Sequence, residues 1–292
     1  NTGKTSVFNR LTGLTQKVGN YPGITVEKKE GICKLNRTTK AHLIDLPGTY
    51  SLNASSIDES VVIELLLNKN SKDFPDVAVV VADVENLKRN LLLFTQVKDL
   101  GIPTLLVINM ADQMKRKGIT LDLKLLEKRL DTKIALVSTR ENQGLDQLKA
   151  LLLNYRKLST KPTIDLSTID KPYFENLKVT FPNQQLYKLW LVITQDVNFA
   201  KIDRKRVSDA TNFKTQSESE LKRLQQKETV KRYQFINEIL KEGLLIDRDS
   251  ATDLRSRLDR ILIHKFWGYI IFFLILMTVF QSIFDWSGIP QD

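Results

Sequence analysis

Cysteine is all but absent, with Cys33 the single example in 292 residues. One thiol closes no intramolecular bridge and offers no cluster for zinc or iron–sulfur ligation, so a disulfide scaffold is excluded, Cys33 reads as a packing residue, and most of the chain is expected in a reducing compartment. Glycine and proline are sparse, 12 and 8 residues, while apolar residues make up 42%. That balance excludes fibrous and low-complexity compositions and predicts a folded chain. Histidine is scarcer still: His42 alternates into an apolar run as a packing or edge residue, and His264 stands alone. No grouping of His, Cys and carboxylates has the spacing of an iron site.

Acidic residues are outnumbered, 34 against 44 basic, for a net charge of +10. Such a surplus favours polyanions or the anionic cytoplasmic leaflet. No basic stripe is interleaved with aromatics as in an RNA platform, and Lys115-Arg116-Lys117 reads as a solvated loop, so a nucleic-acid partner is not expected. Long uncharged runs are missing except at 266–284, which is about long enough to cross a bilayer as a helix. Its place late in the chain excludes a secretory signal. Arg255, Arg257, Arg260 and Lys265 precede it and Asp285 and Asp292 follow it, so the larger N-terminal part is expected to face the cytoplasm. A buried core helix is the competing reading of that run. The chain opens without a Met and stops just after the apolar run, and it reads as part of a longer protein.

Up to about residue 155, short β-branched runs at 41–46, 77–83, 104–109 and 134–137 alternate with helical patterns at 59–68, 87–100, 121–130 and 145–153. This alternation predicts a mainly parallel, doubly wound α/β sheet. Residues 25–35 read as an edge strand and hairpin. The prolines at 162 and 172 mark a linker, and 185–192, 218–240 and 252–263 carry helical periodicity. The expected organisation is an α/β domain at 1–157, a linker at 158–172, an all-α domain at 173–263, a transmembrane helix at 264–285 and the start of a loop at 286–292.

The chemistry-bearing segments sit at the ends of these elements. Gly3-Lys4-Thr5 matches the end of a phosphate-binding loop, whose amides cradle phosphates while the Lys reaches the outer ones and the hydroxyl ligates Mg²⁺. The loop's first glycine is absent, but Ser6 opens a helix whose dipole would face the anion. Asp45-Leu46-Pro47-Gly48 follows a strand, with Asp45 suited to the magnesium shell and the Gly48 amide to a γ-phosphate. Asn109-Met110-Ala111-Asp112 follows another. A carboxylate there only accepts hydrogen bonds, so Asp112 suits the N1–H and exocyclic amine of guanine and disfavours adenine. Ser138-Thr139 can bring a backbone amide to the guanine oxygen, and Thr25 lies in a turn-rich loop of the kind that orders around γ-phosphate and Mg²⁺. Together these matches point to a GTPase. Thr49 follows Gly48 where Ras-like proteins carry a water-positioning Gln, so slow turnover is expected. Arg140, the nearby candidate for an arginine finger, reads as a solvated residue.

The segments NTGKTSVFNRLTG, VGNYPGITVEKKEG, DLPGTYSLNASSIDE, NMAD, KRYQFINEIL and DRILIHKFWGYIIFFLILM together resemble the cytoplasmic part of FeoB-type ferrous iron transporters of bacteria. The resemblance implies a Ras-like P-loop GTPase domain, then a helical domain like a GDP-dissociation inhibitor, then a multi-pass channel-like region for Fe²⁺ in the inner membrane. It implies GTP or GDP with Mg²⁺ as ligands, held by Thr2, Gly3, Lys4, Thr5, Ser6, Thr25, Asp45, Gly48, Asn109, Met110, Asp112, Ser138 and Thr139. Catalysis would involve Lys4, Thr25, Gly48 and Asn1. Asn1 resembles the loop Asn that coordinates a K⁺ ion in place of an arginine finger. Implied partners are the lipid bilayer, small cytoplasmic Feo accessory proteins and further copies of the chain. The competing readings are a membrane-tethered GTP switch without transport and a ribosome- or RNA-associated GTPase.

Overall fold

The computed structural model describes residues 2–13, 16–21, 26–53, 57–194, 216–247, 262 and 265–287. Helix α1 (Lys4–Thr12) lies between two glycines in the left-handed region, Gly3 at φ 77° and Gly13 at φ 63°. Strands β1 (Gln16–Asn20), β2 (Glu27–Lys34) and β3 (Lys40–Asp45) form an antiparallel meander. At the β2–β3 turn the Asn36 carboxamide accepts the Thr38 and Thr39 amides, closing an Asx turn. After α2 (Ile57–Leu67) come β4 (Ala78–Asp83), α3 (Leu87–Asp99), β5 (Thr104–Asn109), α4 (Asp112–Lys117), β6 (Ile119–Leu121), α5 (Leu123–Leu130), β7 (Ile134–Leu136) and α6 (Leu145–Leu153).

The expected alternation is present: β4, β5 and β7 pair in parallel with β5 central, and every residue of β5 is buried. A strand covered on both faces reads as an unbroken apolar run, as Thr104 to Asn109 does. Val7 of α1 and Leu145, Leu148 and Leu152 of α6 pack against Leu105, Val107, Ala135 and Val137 in one core. Two features depart from the sequence reading. Residues 27–34 are the centre of the meander rather than its edge, because β1 pairs along their outer side. Gln-Lys-Val-Gly-Asn has one β-branched residue and a glycine, so β1 carries almost no strand signal. Among the described residues no ladder joins the meander to the parallel sheet.

The later helices are α7 (Lys171–Thr180), α8 (Leu186–Thr194), α9 (Glu218–Gly243) and α10 (Trp267–Ser287). Asp170 caps α7 by accepting the Tyr173 amide, with Pro172 in the first turn, and Ser217 caps α9 by accepting the Glu220 amide. Tyr173, Phe174 and Trp190 pack edge to face. The chain divides into two compact units, Asn1–Asp112 with Leu121–Leu244, and Gln113–Thr120 with Leu245–Asp292. The helical pattern read at 252–263 and His264 lie outside the described residues.

The expected transmembrane helix at 264–285 is corrected: among the described residues no helix is long and apolar enough to cross a membrane. α10 begins only at Trp267, and Asp285 falls inside its last turn. Its uncharged part, 267–284, is at the short end of what a bilayer crossing needs. Its apolar side chains from Trp267 to Ile283 are largely exposed. Cys33 is fully buried, and burial pushes its thiol above the ordinary range, as suits a packing residue. His42 lies at the surface, 3.3 Å from the Glu30 carboxylate.

Within the first unit, a buried polar cluster ties α3 to α8 and α9. The Arg232 Nε donates to Glu228 at 2.7 Å, and the Trp190 indole donates to the other Glu228 oxygen at 2.8 Å. The Arg232 Nη1 sits 2.8 Å from Asp99 Oδ2, an ion pair outside hydrogen-bond alignment. Its guanidinium lies 4.6 Å from the Tyr187 ring centroid. Burial raises the Asp99 carboxyl pKa against the pull of Arg232 and of Thr163, whose amide and hydroxyl both donate to it. Burial also opposes the Arg232 charge, but the carboxylates of Asp99 and Glu228 outweigh it and hold the guanidinium protonated. Replacing Arg232 by Met would leave two buried carboxylates without a cation. We expect Arg232→Met to cost about 3–5 kcal/mol in urea denaturation; a loss below about 1 kcal/mol would mean that water reaches the cluster.

Candidate functional site

Most of the described sequence-predicted residues of the first unit lie just beyond the C-terminal ends of β3, β5 and β7 and at the N-terminus of α1. Gly3 adopts the left-handed conformation that turns the chain into α1, and its carbonyl accepts the Val7 amide at 2.9 Å. No acidic side chain occupies the first turn, so the positive end of the helix dipole is not neutralised from within. The Lys4 ammonium pairs with Asp45 Oδ1 at the tip of β3, and the Thr5 hydroxyl donates to Asp45 Oδ2 at 3.3 Å. The Asp45 side chain is almost wholly buried while that of Lys4 is one-third exposed. A carboxylate beside a hydroxyl is the hard-oxygen donor set that suits Mg²⁺, and a partly exposed ammonium next to it suits a phosphate.

A second group forms around the end of β5. The buried Asn109 carboxamide donates to the Thr2 carbonyl at 3.1 Å and accepts the Thr139 amide at 3.3 Å, linking the segment before α1 to the loop after β7. Met110 has φ 63°, an uncommon conformation for a residue with a side chain. The Ala111 amide then bonds the Val137 carbonyl at 3.1 Å, which carries the chain across to β7. The fully buried Ser138 hydroxyl donates to Asp112 Oδ1 at 2.7 Å and accepts the Glu141 amide at 3.1 Å. One carboxylate of the base-reading pattern is thereby fixed in orientation.

Thr2, Gly3, Lys4, Thr5, Asp45, Asn109, Asp112, Ser138 and Thr139 thus belong to one connected set. Ser6 is exposed on α1, outside that set. Gly48 lies in the segment after β3, where a Cβ would meet nothing within 4 Å. Asn1 and Thr25 lie outside the described residues. Sequence reasoning missed Arg10, whose Nε donates to the Thr139 carbonyl at 3.1 Å across 129 residues. A lone arginine on the outer face of a helix carries no local signal of such a reach.

A lysine-bearing helix start against a strand-end aspartate, beside an Asn-x-x-Asp turn locked to the next strand's serine, defines the G domain of a P-loop GTPase. The family model for ferrous iron transport protein B matches residues 1–152. The chain belongs to that family. It is 34% identical over its whole length to an Fe(2+) transporter FeoB of Leptospira biflexa, of which it covers 43%. It is 30% identical over its whole length to a Porphyromonas gingivalis fusion of Fe(2+) transport protein A with FeoB, of which it covers 37%. The cytosolic domain of the T. maritima FeoB iron transporter in its GMPPNP form superposes with a TM-score of 0.71 at 28% identity, covering 84% of this chain and 96% of that one. The chain therefore spans less than half the length of these two curated relatives.

Gly3 tests how tightly the two groups are joined. A Cβ added there would overlap the Asn109 side-chain amide, and the backbone is already at a positive φ. We expect Gly3→Ala to destabilise the chain by about 1 kcal/mol or more in thermal unfolding; a melting temperature equal to the parent's would show that Asn109 is free to move aside.

Proposed function

We propose that this chain is the GTP-binding and GTP-hydrolysing cytoplasmic part of a bacterial inner-membrane Fe²⁺ uptake transporter, with its helices α7 to α9 coupling nucleotide state to the membrane region. The observation that carries the reading is the junction made by Asn109, which joins a phosphate-type cluster (Lys4, Thr5, Asp45) to a guanine-type one (Asp112, Ser138). The family and the T. maritima nucleotide-bound relative support it.

In this reading the amides of Gly3 to Ser6, with Thr2 beside them, receive the phosphates. Lys4 neutralises their charge at the open end of the α1 dipole, and the Gly48 amide senses the γ-phosphate. Asp112, held by Ser138, accepts the two guanine donors, and the loop at Ser138-Thr139 approaches the guanine oxygen, with Asn109 holding the Thr139 amide and Met110 shaping the turn. Thr5, Asp45 and Thr25 would hold Mg²⁺, which when bound supplies charge neutralisation across the phosphates. Asn1 would hold K⁺, on the family resemblance. The Fe²⁺ pathway belongs to the membrane region of the full-length protein, and the Porphyromonas fusion supports a small Feo accessory protein as a cytoplasmic partner. A second copy of the chain and the bilayer complete the proposed surroundings.

Two measurements test this. Calorimetry of the full-length protein with magnesium should show GDP bound and ADP ignored, and Asp112→Asn should weaken GDP by about 100-fold, the loss of two hydrogen bonds to a charged group. The same variant should gain xanthosine diphosphate, whose 2-carbonyl accepts from the new amide. Equal binding of GDP and ADP would remove the assignment. GTP hydrolysis should also run faster in K⁺ than in Na⁺, with Asn1→Ala erasing the difference; identical rates in both salts would remove the potassium site.

A further inference from the structure

Thr49 stands directly after Gly48, and its hydroxyl lies 3.1 Å from the Glu59 carboxylate of α2 and within bonding distance of the Ser51 carbonyl. It is therefore engaged locally, and the backbone of residues 48–53 is left to set the geometry around a γ-phosphate. That backbone is seated on α3 at two places. The Leu52 amide donates to Gln96 Oε1 at 2.8 Å, with Leu52 and Gln96 both wholly buried. The Arg89 guanidinium stacks 3.6 Å from the centroid of the Tyr50 ring. Gln96 and Arg89 lie two turns apart on the helix, so they grip the segment at separated points.

We propose that Gln96 is a positioning residue for GTP hydrolysis: through the Leu52 amide it holds the segment after Gly48 in the conformation in which its backbone can meet the γ-phosphate and the attacking water. This rests on the GTPase reading above. Among the described residues Gln96 hydrogen-bonds to Leu52 and to none of the residues assigned to the nucleotide, so its influence falls on the hydrolytic step and spares the grip on the nucleotide. Its Nε2 is buried without a partner, which makes the acceptor oxygen the part of the carboxamide that matters. Asp99, one turn further along α3, meets Arg232 of α9, so the helix that seats this segment is itself anchored to the helical part of the chain.

The test is steady-state and single-turnover GTP hydrolysis by the full-length protein. Gln96→Met keeps the volume and removes the acceptor, leaving the Leu52 amide buried without a partner. It should lower kcat about tenfold while KM and GDP affinity stay within about twofold. Arg89→Met, at an exposed position where folding is not at stake, should lower kcat in the same direction. Gln96→Glu restores an acceptor oxygen at the same place and should recover most of the rate. The inference is overturned if Gln96→Met hydrolyses GTP at the parent rate, if nucleotide affinity falls in step with kcat, or if Gln96→Glu is as slow as Gln96→Met. A parent protein that binds and hydrolyses no GTP would instead sink the GTPase reading itself, so the two failures are told apart.

Discussion

The Asn109 carboxamide is the joint on which the site depends, because it is the only described side chain bonded to both the segment before α1 and the loop after β7. Two backbone segments that are distant in sequence, one beside Lys4, Thr5 and Asp45 and one beside Asp112 and Ser138, are fixed in register by a single planar group with one donor and one acceptor side in use. The planarity matters: neither bond can be kept if the amide rotates, so a displacement of Thr2 is felt at Thr139. Burial sharpens this, since a carboxamide removed from water must keep its partners or pay the full desolvation of an amide. Gly3 lies against that same amide, and its missing side chain is what leaves the group room. Arg10 adds a tie from α1 to the Thr139 carbonyl at the surface, where it bears less energy but the same direction.

Much of this was legible in the sequence. The parallel strands β4, β5 and β7 showed because strands buried on both faces must be apolar throughout, and the motifs showed because catalysis in this fold uses fixed residue types at strand ends. β1 was not legible, since an exposed strand with Lys17, Gly19 and Asn20 owes its conformation to its partner β2 and not to its own side chains. The start of the apolar helix was misplaced: composition gives an uncharged run from Phe266, whereas the helix begins at Trp267 and takes in Asp285. Within the site, the residue types at Lys4, Asp45, Asn109 and Asp112 could be named in advance, while their mutual hydrogen bonds could not. Arg10 and Gln96 were invisible because their partners lie 129 and 44 residues away and nothing near them in sequence marks the pairing; Arg232 has Glu228 four residues before it, but nothing signals its second partner, Asp99, 133 residues away.

Helix α3 shows what those unseen pairings achieve together. Near its C-terminal end Gln96, Lys98 and Asp99 are polar and buried, an arrangement that an amphipathic surface helix would avoid. Each reaches a different part of the chain: Gln96 the segment after Gly48, Lys98 the carbonyls of Asp131 at 2.7 Å and Ser159 at 3.2 Å, and Asp99 both Thr163 and Arg232. Burial lowers the Lys98 pKa, yet Asp131 and Asp99 support its charge and the two carbonyls satisfy its donors. Such buried polar contacts add little net stability compared with apolar packing, and they are lost all at once when geometry fails. Their consequence is positional: the helix cannot slide or turn about its axis without breaking bonds to the phosphate-side segment, the linker and α9 together. A rigid body with polar bonds to all three would carry a displacement of residues 48–53 to residues 159–163 and to α9, because the alternative, independent relaxation of each contact, would leave buried donors and carboxylates unpaired.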